Sequence, residues 1–517
     1  MLAAAALGAA PVFAEKKTVC TITVNSADEK ETIRARLPKG EYEFVELVEK
    51  GRPDWLRSSC QKNVQCDALV VSGHFNAGDT FYSDRLEKNE YFEVDELERA
   101  SCGASCPNLF AKLKEVYLFG CESLNPDASK YASSHGESGR DRMRRLFPNV
   151  PSIYGFSGAA PVGPTAAMLL NKYFDGGVRG FATGQPSAGL LRAFSRNSMV
   201  RVAGVRDGEP LAASRKQICG FFDDRKSAAQ KAEFVHGVLR SEAGAGALFD
   251  RIEKMLAAMP EAERNSPGFA QALAQVSADD ASRSRYLAAM RAHPQPGKRA
   301  RMIALGGTLG WLSEEQQRAE LTTMIGEMLA GNAIGFAEVD LVCDLNKDRR
   351  LDGRLDGVAL SASRASRTGQ AAVMACLGNA DAHAQVLRAL AGSDEKEVQV
   401  AQSYLRHRPI SEKAELRSVA RDIARMPGGD PARVRALDTL ARLHISDREI
   451  IDDLAHAFTQ ATSVNIQRAI AEVFIRSDPK VLPRGDLAAV LRDHRVRSPG
   501  GGHDLIDVLI AKLQASS

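Results

Sequence analysis

The chain has 517 residues, which is more than one ordinary hydrophobic core accommodates, so we expect two or more domains. Its formal net charge is +3 with 26% charged residues, a balanced surface that argues against nucleic acid as a partner. Beyond the first fourteen residues no run approaches the ~20 apolar residues that cross a bilayer, so the sequence predicts no membrane span.

The first stretch of the chain, residues 1–14, reads MLAAAALGAAPVFA and consists of small and apolar residues. It ends in a small residue just before the charged Glu15, as a signal peptidase requires. We therefore predict a signal peptide over residues 1–14 and a mature protein that is exported to the periplasm or secreted.

The chain contains nine cysteines, an odd number. An oxidising compartment favours pairing, and an odd count leaves at least one thiol free. The expected bridges are local or mutual ones among Cys60, Cys66, Cys102 and Cys106, and longer ones from Cys20 to Cys219 and from Cys343 to Cys376. A four-cysteine zinc site built from the first four is the alternative, although neither pair has C-x-x-C spacing. Cys121 is the candidate for the unpaired thiol.

Short apolar runs alternate with polar, helix-compatible stretches in the first part of the chain. The runs lie at 18–24, 42–48, 67–73, 115–120 and 151–156. Strands that alternate with helices predict βαβ units and a mostly parallel sheet covered by helices on both faces. The sequence thus predicts an α/β domain over residues 15–210, with its chemistry at the carboxyl ends of the strands.

From about residue 211 the sequence changes to apolar residues at three- and four-residue spacing, which is typical of amphipathic helices. After residue 370 these helices come in pairs separated by short polar turns. This pattern predicts an all-α domain over 211–517, either a degenerate α-solenoid of HEAT-like repeats or an ordinary helical bundle.

Two of the predicted strand ends carry residues suited to nucleophilic chemistry. His74 follows the run DALVVSG, and Cys121 follows the run EVYLFG. If the two strands are neighbours, both side chains project from the same edge of the sheet. An imidazole there would accept the thiol proton and keep the sulfur as a thiolate, the form that attacks a carbonyl.

These residues resemble a known family. A strand that ends at His74, followed about fifty residues later by a strand that ends at Cys121, resembles the caspase-like cysteine peptidases, which include caspases, gingipains, separases and bacterial CHAT proteins. The stretch YLFGCES (117–123) is closest to the CHAT pattern, and residues 153–177 are similar to a CHAT segment in which a strand and a turn precede a helix. The resemblance covers residues 18–205 and implies a caspase-like fold.

The resemblance also implies roles for single residues. Cys121 would be the nucleophile and His74 the general base. The backbone N–H of Cys121 and one beside His74, from Gly73 or Phe75, would form an oxyanion hole. The family usually has glycine where this chain has Phe75, and a bulky ring at that position would narrow the cleft.

Substrate contacts are predicted at Ser157 and Glu122. Ser157 belongs to a glycine-rich turn that would line the thiol site. Glu122, together with Asp79 and Asp84, would favour an arginine or lysine side chain in the substrate.

A serine hydrolase is the enzymatic alternative. The stretch YGFSGAAP (154–161) nearly matches the G-x-S-x-G nucleophile elbow between a strand and a helix. In that hypothesis Ser157 would act with a later carboxylate and His236. Another histidine, His135, follows Cys121 in the chain and is predicted to be a loop residue.

A calcium loop is a weaker possibility. Its candidate ligands occupy positions 1, 3, 5 and 9 of the loop pattern: Asp344, Asn346, Asp348 and Asp352. Arginine and leucine replace the usual glycine at position 6 and glutamate at position 12. A polar helix–helix connection is the alternative, and no other metal and no cofactor is predicted.

The leading functional prediction is a cysteine endopeptidase that acts on a protein or peptide through an acyl-thioester. The second hypothesis is a catalytically inactive caspase-like scaffold whose helical domain binds a protein partner.

Overall fold

The computed structural model describes residues 15–47, 60, 62–75, 80–83, 91–103, 106–127, 138–223, 225–241, 248–331, 334–355, 367–426, 430–496 and 505–515. The predicted signal peptide therefore lies outside the described residues. The chain divides into two compact units, Met1–Tyr286 and Leu287–Ser517. The predicted boundary near residue 210 falls after the last strand of unit 1, where a helix begins at Pro210.

The strands of unit 1 form two sheets. They are β1 (Lys17–Thr23), β2 (Tyr42–Glu46), β3 (Ala68–Ser72), β4 (His74–Phe75), β5 (Thr80–Tyr82), β6 (Tyr91–Glu93), β7 (Glu115–Phe119), β8 (Ser152–Phe156) and β9 (Met199–Val202). The main sheet has six strands in the order β2-β1-β3-β7-β8-β9, and every neighbouring pair is parallel except β8 with β9. The prediction of an α/β unit with a mostly parallel sheet is thus confirmed.

A small antiparallel sheet, β4-β5-β6, continues from the carboxyl end of β3. Only Gly73 separates β3 from β4, so the chain leaves the main sheet at that residue. This change of sheet carries His74 to the edge of the main sheet at which the parallel strands end.

Helices cover both faces of the main sheet. The described helices of unit 1 are α1 (Asp28–Arg36), α2 (Val94–Cys102), α3 (Gly139–Leu146), α4 (Gly163–Phe174), α5 (Ala188–Ala193), α6 (Pro210–Cys219), α7 (Ala228–Arg240), α8 (Phe249–Ala257), α9 (Glu261–Arg264), α10 (Pro267–Ser277) and the first part of α11 (Asp280–Arg291). Alternate strand residues face opposite sides. Val70 and Tyr117 share a core with α1, α4 and α5, whereas Leu69 and Val116 share a core with α2 and α3.

Local sequence signals fix where several helices begin. The Ser138 side chain caps α3 by accepting a hydrogen bond from the Asp141 N–H. Ser227 and Gln230 form a reciprocal capping box at the start of α7. These contacts satisfy N–H groups that a helix cannot satisfy internally.

Four disulfides are present, and all nine cysteines lie in the described part of the chain. The bridges join Cys20 to Cys66, Cys60 to Cys106, Cys102 to Cys219 and Cys343 to Cys376. Cys121 is the free thiol. The predictions of a free Cys121 and of the last bridge are confirmed, and the disulfides indicate a compartment outside the reducing cytosol.

Of the other predicted pairings, the mutual bridge between Cys60 and Cys106 is present, whereas the local bridges Cys60–Cys66 and Cys102–Cys106 and the bridge Cys20–Cys219 are wrong. Cys20 lies on β1 and Cys66 lies just before β3, so the pairing of these two strands brings them together. That leaves Cys219, at the end of α6, to bond Cys102 at the end of α2. The zinc alternative is also wrong, because each of its four sulfurs is in a disulfide.

Unit 2 is helical throughout its described elements. They are α12 (Pro296–Thr308), α13 (Glu314–Ala330), α14 (Phe336–Leu345), α15 (Arg367–Cys376), α16 (Ala380–Leu390), α17 (Glu395–His407), α18 (Lys413–Ala424), α19 (Asp430–Ala441), α20 (Arg448–Gln460), α21 (Val464–Arg476), α22 (Arg484–Asp493) and α23 (Leu505–Ala515). In one layer α17, α19, α21 and α23 pack in succession, and in a second layer α16, α18, α20 and α22 do the same. Within each layer, each helix thus packs against the second helix that follows it in the sequence.

Among the described residues, no helix combines the length and the apolar composition needed to cross a membrane.

Glu115 is a buried anchor at the start of β7. Its carboxylate accepts hydrogen bonds from the backbone N–H groups of Ala182, Thr183 and Gly184 at 2.7, 3.1 and 2.9 Å, and from the Tyr117 hydroxyl. The carboxylate therefore holds the loop before α5 against the amino end of β7.

We expect Glu115→Ala to lower the free energy of unfolding by ~3–5 kcal/mol, because several buried donors lose a charged acceptor. Glu115→Gln keeps the shape of the side chain and one acceptor oxygen, so it should lower the free energy of unfolding by less than Glu115→Ala does. The measurement is urea denaturation of the oxidised protein. Glu31→Gln, at an exposed position on α1, is the control and should change the free energy by less than ~0.5 kcal/mol. An equally small effect at Glu115 would contradict the anchor role.

Candidate active site

The strands that carry His74 and Cys121 are parallel neighbours. β3 pairs with β7 so that Ser72 lies opposite Phe119. The Gly73 N–H extends this pairing by donating to the Phe119 carbonyl at 3.2 Å. The two strands are therefore neighbours, which is the condition for His74 and Cys121 to project from the same sheet edge. Both residues follow strands that end at the same level.

His74 and Cys121 line one cavity of about 440 Å³ at the carboxyl edge of the main sheet. The segment after β1 supplies Asp28 and Glu29 to the same cavity, and the end of β3 supplies Ser72. β2, the next strand in the sequence after β1, pairs with one edge of β1, and β3 pairs with the other edge, so the direction in which strands are added reverses at β1. Open α/β sheets bind ligands at such reversals, outside the carboxyl ends of the strands.

The amino end of α4 closes the cavity opposite the strands. Residues 160–164 line it, and Gly163 packs closely against the turn after β1. A Cβ atom at Gly163 would lie 2.4 Å from Asp28 Oδ2 and 2.5 Å from Ser26 Oγ. A larger residue at position 163 would therefore displace the Asp28 and Ser26 side chains from their present positions.

The Cys121 sulfur is half-buried and accepts a hydrogen bond. The Ala160 N–H lies 3.4 Å from Cys121 Sγ and points to it as a donor. The loop before α4 thus contributes to the environment in which Cys121 would react.

Hydrogen bonds hold the turn after Cys121 against β8 and the residues that follow it. Glu122 has a positive φ of 56°, an uncommon conformation for a residue with a side chain. Its N–H donates to the Gly158 carbonyl at 2.7 Å. The buried Ser123 hydroxyl accepts from the Phe156 N–H at 3.2 Å. These contacts hold the chain in a sharp turn that directs Cys121 toward the cavity.

Phe75 does not narrow the cleft. Its side chain is 5% exposed, and the centroid of its ring lies 4.5 Å from the centroid of the Phe81 ring. Phe75 is not among the described residues that line the cavity. A Cβ atom at Gly120 would lie 2.7 Å from Phe75 Cβ and 2.8 Å from Phe81 Cε1. The ring therefore packs in the core beside Gly120, and the glycine before Cys121 makes room for it.

Gly73 has no N–H free for an oxyanion hole, because that group is bonded to the Phe119 carbonyl. Of the other backbone groups predicted for this role, the N–H of Cys121 belongs to a residue that lines the cavity, whereas Phe75 is not among the described lining residues. His74, in contrast, packs its ring against Tyr82, with 5.6 Å between the ring centroids. This contact orients the imidazole at the rim of the cavity.

Glu29 is a site residue that the sequence did not single out. Its side chain lines the cavity but is only 4% exposed. Burial raises the pKa of its carboxyl to about 7, although its own backbone N–H and the nearby Ser72 hydroxyl partly oppose the shift. Glu29 and Ser72 do not form a hydrogen bond with each other. Glu29 Oε2 and Ser72 Oγ are both buried without a hydrogen-bond partner among the described residues.

Two predicted substrate contacts are not supported by the cavity. Glu122 and Ser157 are not among its described lining, and the Ser157 hydroxyl donates to the Ser198 carbonyl at 3.2 Å. Nothing in this geometry supports a substrate contact for either. For the serine hydrolase alternative, His236 does meet a later carboxylate, Asp279, at 2.9 Å, but the described hydrogen bond of the Ser157 hydroxyl goes to Ser198 and not to His236.

Three further candidates, Asp79, Asp84 and His135, lie outside the described residues.

The calcium-loop oxygens are used within the protein. Asn346 Oδ1 accepts from the Leu351 N–H at 2.8 Å, and the Asn346 amide donates to Asp352 at 2.6 Å. Arg349 donates to the other Asp352 oxygen at 2.7 Å. No group of three or more histidine, cysteine, aspartate or glutamate side chains suited to a metal ion is found among the described residues, including Asp344 and Asp348. The loop therefore has the contacts of a polar helix–helix connection.

Comparison with known proteins finds no matching family model, no matching curated protein and no matching solved structure. The class that the structure defines is a disulfide-bonded α/β unit with a cysteine and a histidine at one sheet edge, followed by a helical unit.

The elevated pKa of Glu29 makes stability depend on pH. Between about pH 4.5 and 7 the folded protein keeps a proton that the unfolded chain releases, so the contribution of Glu29 to stability falls as pH rises through this window. Glu29→Gln removes this loss, and its free energy of unfolding relative to the wild type should rise by ~2 kcal/mol between pH 5 and pH 8. Urea denaturation at both pH values measures it. A difference that does not change with pH would show that Glu29 titrates normally.

The disulfide set predicts a single reactive thiol in the unreduced protein. Iodoacetamide added to denatured, unreduced protein should label Cys121 alone, and prior reduction should expose all nine cysteines. Peptide mapping by mass spectrometry locates the label. Stoichiometric label on any other cysteine before reduction would contradict the assigned bridges.

Proposed function

We propose that the protein is a cysteine endopeptidase of the caspase-like type, with Cys121 as nucleophile and His74 as general base. One observation carries this proposal. The single cysteine that is not in a disulfide shares a cavity with a histidine at the ends of two adjacent parallel strands. A disulfide-bonded protein with one half-buried free thiol in the same cavity as an imidazole has the parts that thiol catalysis requires.

The proposed reaction has two stages. In the first, His74 accepts the thiol proton, Cys121 Sγ attacks the peptide carbonyl carbon, and the imidazolium returns the proton to the departing amine. The Ala160 N–H donates a hydrogen bond to the sulfur before attack. In the second stage water, deprotonated by His74, attacks the acyl-thioester and releases the carboxylic acid and the thiol. The backbone N–H of Cys121 is the proposed donor to the oxyanion.

The setting of the reaction follows from the disulfides and the helical unit. Four disulfides in one chain support a periplasmic or secreted location. The two layers of successively packed helices in unit 2 support a HEAT-like repeat that binds a protein partner.

The test is a peptide-library digest by the purified oxidised protein. The wild type should cleave a subset of peptides, and Cys121→Ala should lose at least ~1000-fold in kcat/KM because it lacks the nucleophile. His74→Ala should lose at least ~100-fold, the size of a missing general base. Ser157→Ala is the matched control, since Ser157 does not line the cavity, and should keep the wild-type rate.

Equal product patterns from the wild type and Cys121→Ala would contradict the peptidase proposal and favour the inactive scaffold. Full loss of cleavage in Ser157→Ala, with Cys121→Ala unaffected, would favour the serine hydrolase.

A further inference from the structure

A second cavity lies at the amino edge of the main sheet, at the opposite ends of the strands from the candidate active site. Its volume is about 660 Å³, which is within the usual size range of ligand sites. β1, β2 and the segments before β3 and β7 supply its described lining, which consists of residues 15–18, 43, 45, 62–65, 67, 112 and 114. The proposed peptidase mechanism uses none of these residues.

Lysine is the most frequent residue type in this lining. Five ammonium groups and three carboxylates leave the cavity with two excess positive charges, whereas the net charge of the whole chain is only +3. The five ammonium groups belong to Lys16, Lys17, Lys62, Lys112 and Lys114. They come from three separate parts of the chain, so the fold, and not a basic run in the sequence, brings these charges together. Like charges that converge in this way attract an anion.

The carboxylates of the lining already have other contacts. Asp67 Oδ2 accepts a hydrogen bond from the Thr18 N–H at 2.9 Å, and Glu43 Oε1 accepts one from the Thr18 hydroxyl at 2.8 Å. These two carboxylates therefore hold β1 against its two neighbouring strands. The third carboxylate, Glu15, lies 3.6 Å from the ammonium group of Lys112.

Two of the lysines are without a carboxylate partner. Lys16 and Lys114 are exposed, and neither forms an ion pair with any residue in the described part of the chain. A third ammonium group, that of Lys17, lies over the Tyr42 ring, 5.6 Å from its centroid. An anion that enters the cavity therefore meets ammonium groups that no carboxylate neutralises directly.

Disulfides fix one wall of the cavity. Residues 62–65 lie between Cys60 and Cys66 in the chain. Cys60 is bonded to Cys106, and Cys66 is bonded to Cys20. This wall is therefore held at both ends before any ligand binds. A wall that is already ordered loses less conformational entropy on binding, which favours affinity.

We propose that this cavity binds a ligand that carries two or more phosphate groups. Ammonium groups form charge-assisted hydrogen bonds with phosphate oxygens, and each acts as a compact charge on a flexible stem. Because the lysines approach from three parts of the chain, they can contact several phosphate groups of one ligand at once. The inference goes beyond the peptidase proposal and does not depend on it, since the two cavities share no lining residue.

The test is isothermal titration calorimetry of the full-length oxidised protein with inorganic phosphate, pyrophosphate and tripolyphosphate at low ionic strength. We expect one site per chain and an affinity that increases by about tenfold or more from phosphate to tripolyphosphate, because a longer ligand engages more ammonium groups. Lys16→Gln combined with Lys114→Gln should lower the affinity for tripolyphosphate by about tenfold or more.

The matched control is Lys172→Gln combined with Lys216→Gln. It removes the same charge from exposed positions that are not among the described lining, so the affinity should stay within about twofold of the wild type. All four lysines are exposed, so both double variants should fold, which circular dichroism checks.

Vesicles of phosphatidylcholine, with and without phosphatidic acid, distinguish a lipid headgroup from a soluble ligand. Co-sedimentation with the phosphatidic acid vesicles alone, lost in Lys16→Gln/Lys114→Gln, would support the phosphate site and assign it to a headgroup. Tripolyphosphate binding without co-sedimentation would assign it to a soluble ligand.

Three results would overturn the inference. The first is the absence of binding to both tripolyphosphate and the phosphatidic acid vesicles. The second is an equal affinity for phosphate and tripolyphosphate without vesicle binding. The third is an equal loss of binding in the two double variants, which would show that the net charge of the protein, and not this cavity, attracts the ligand. None of these results bears on the peptidase proposal, whose own test is cleavage.

Discussion

The candidate site depends on the parallel pairing of β3 with β7. This pairing sets the two strand ends at one level, and the hydrogen bond from the Gly73 N–H to the Phe119 carbonyl extends it by one residue. Beyond β3 the chain turns into β4, which places His74. Beyond β7 it turns sharply at Glu122, which places Cys121. Gly120 permits both, because a side chain there would collide with Phe75. A shift of one residue in register would separate the two groups.

The buried acidic end of α1 destabilises the folded protein at neutral pH. Burial raises the pKa of the Glu29 carboxyl to about 7, so the folded protein resists the ionisation that the unfolded chain undergoes. Glu115 differs, because backbone donors satisfy its buried carboxylate. Groups with perturbed pKa values are concentrated at functional sites, and Glu29 lines the cavity that holds Cys121.

Much of this arrangement follows from sequence patterns whose physical basis is local. Apolar runs predicted the parallel sheet, and the rule that chemistry follows strand ends led to His74 and Cys121. The same rule applied to β1 leads to Asp28 and Glu29, which lie in a polar, helix-compatible stretch that carries no other signal of a site. Strand alternation also shows why Phe75 faces the core, because neighbours in a strand face opposite sides. The Cys20–Cys66 bridge could not be predicted, since it depends on which strands are adjacent.

The most direct test of the account is the rate of Cys121 alkylation by iodoacetamide in the native, unreduced protein at neutral pH. If His74 acts as the base for Cys121, we predict a rate about tenfold or more above that of an ordinary cysteine thiol. In His74→Ala the rate should fall to that of an ordinary thiol. Equal and slow rates in the two proteins would contradict a functional Cys121–His74 pair.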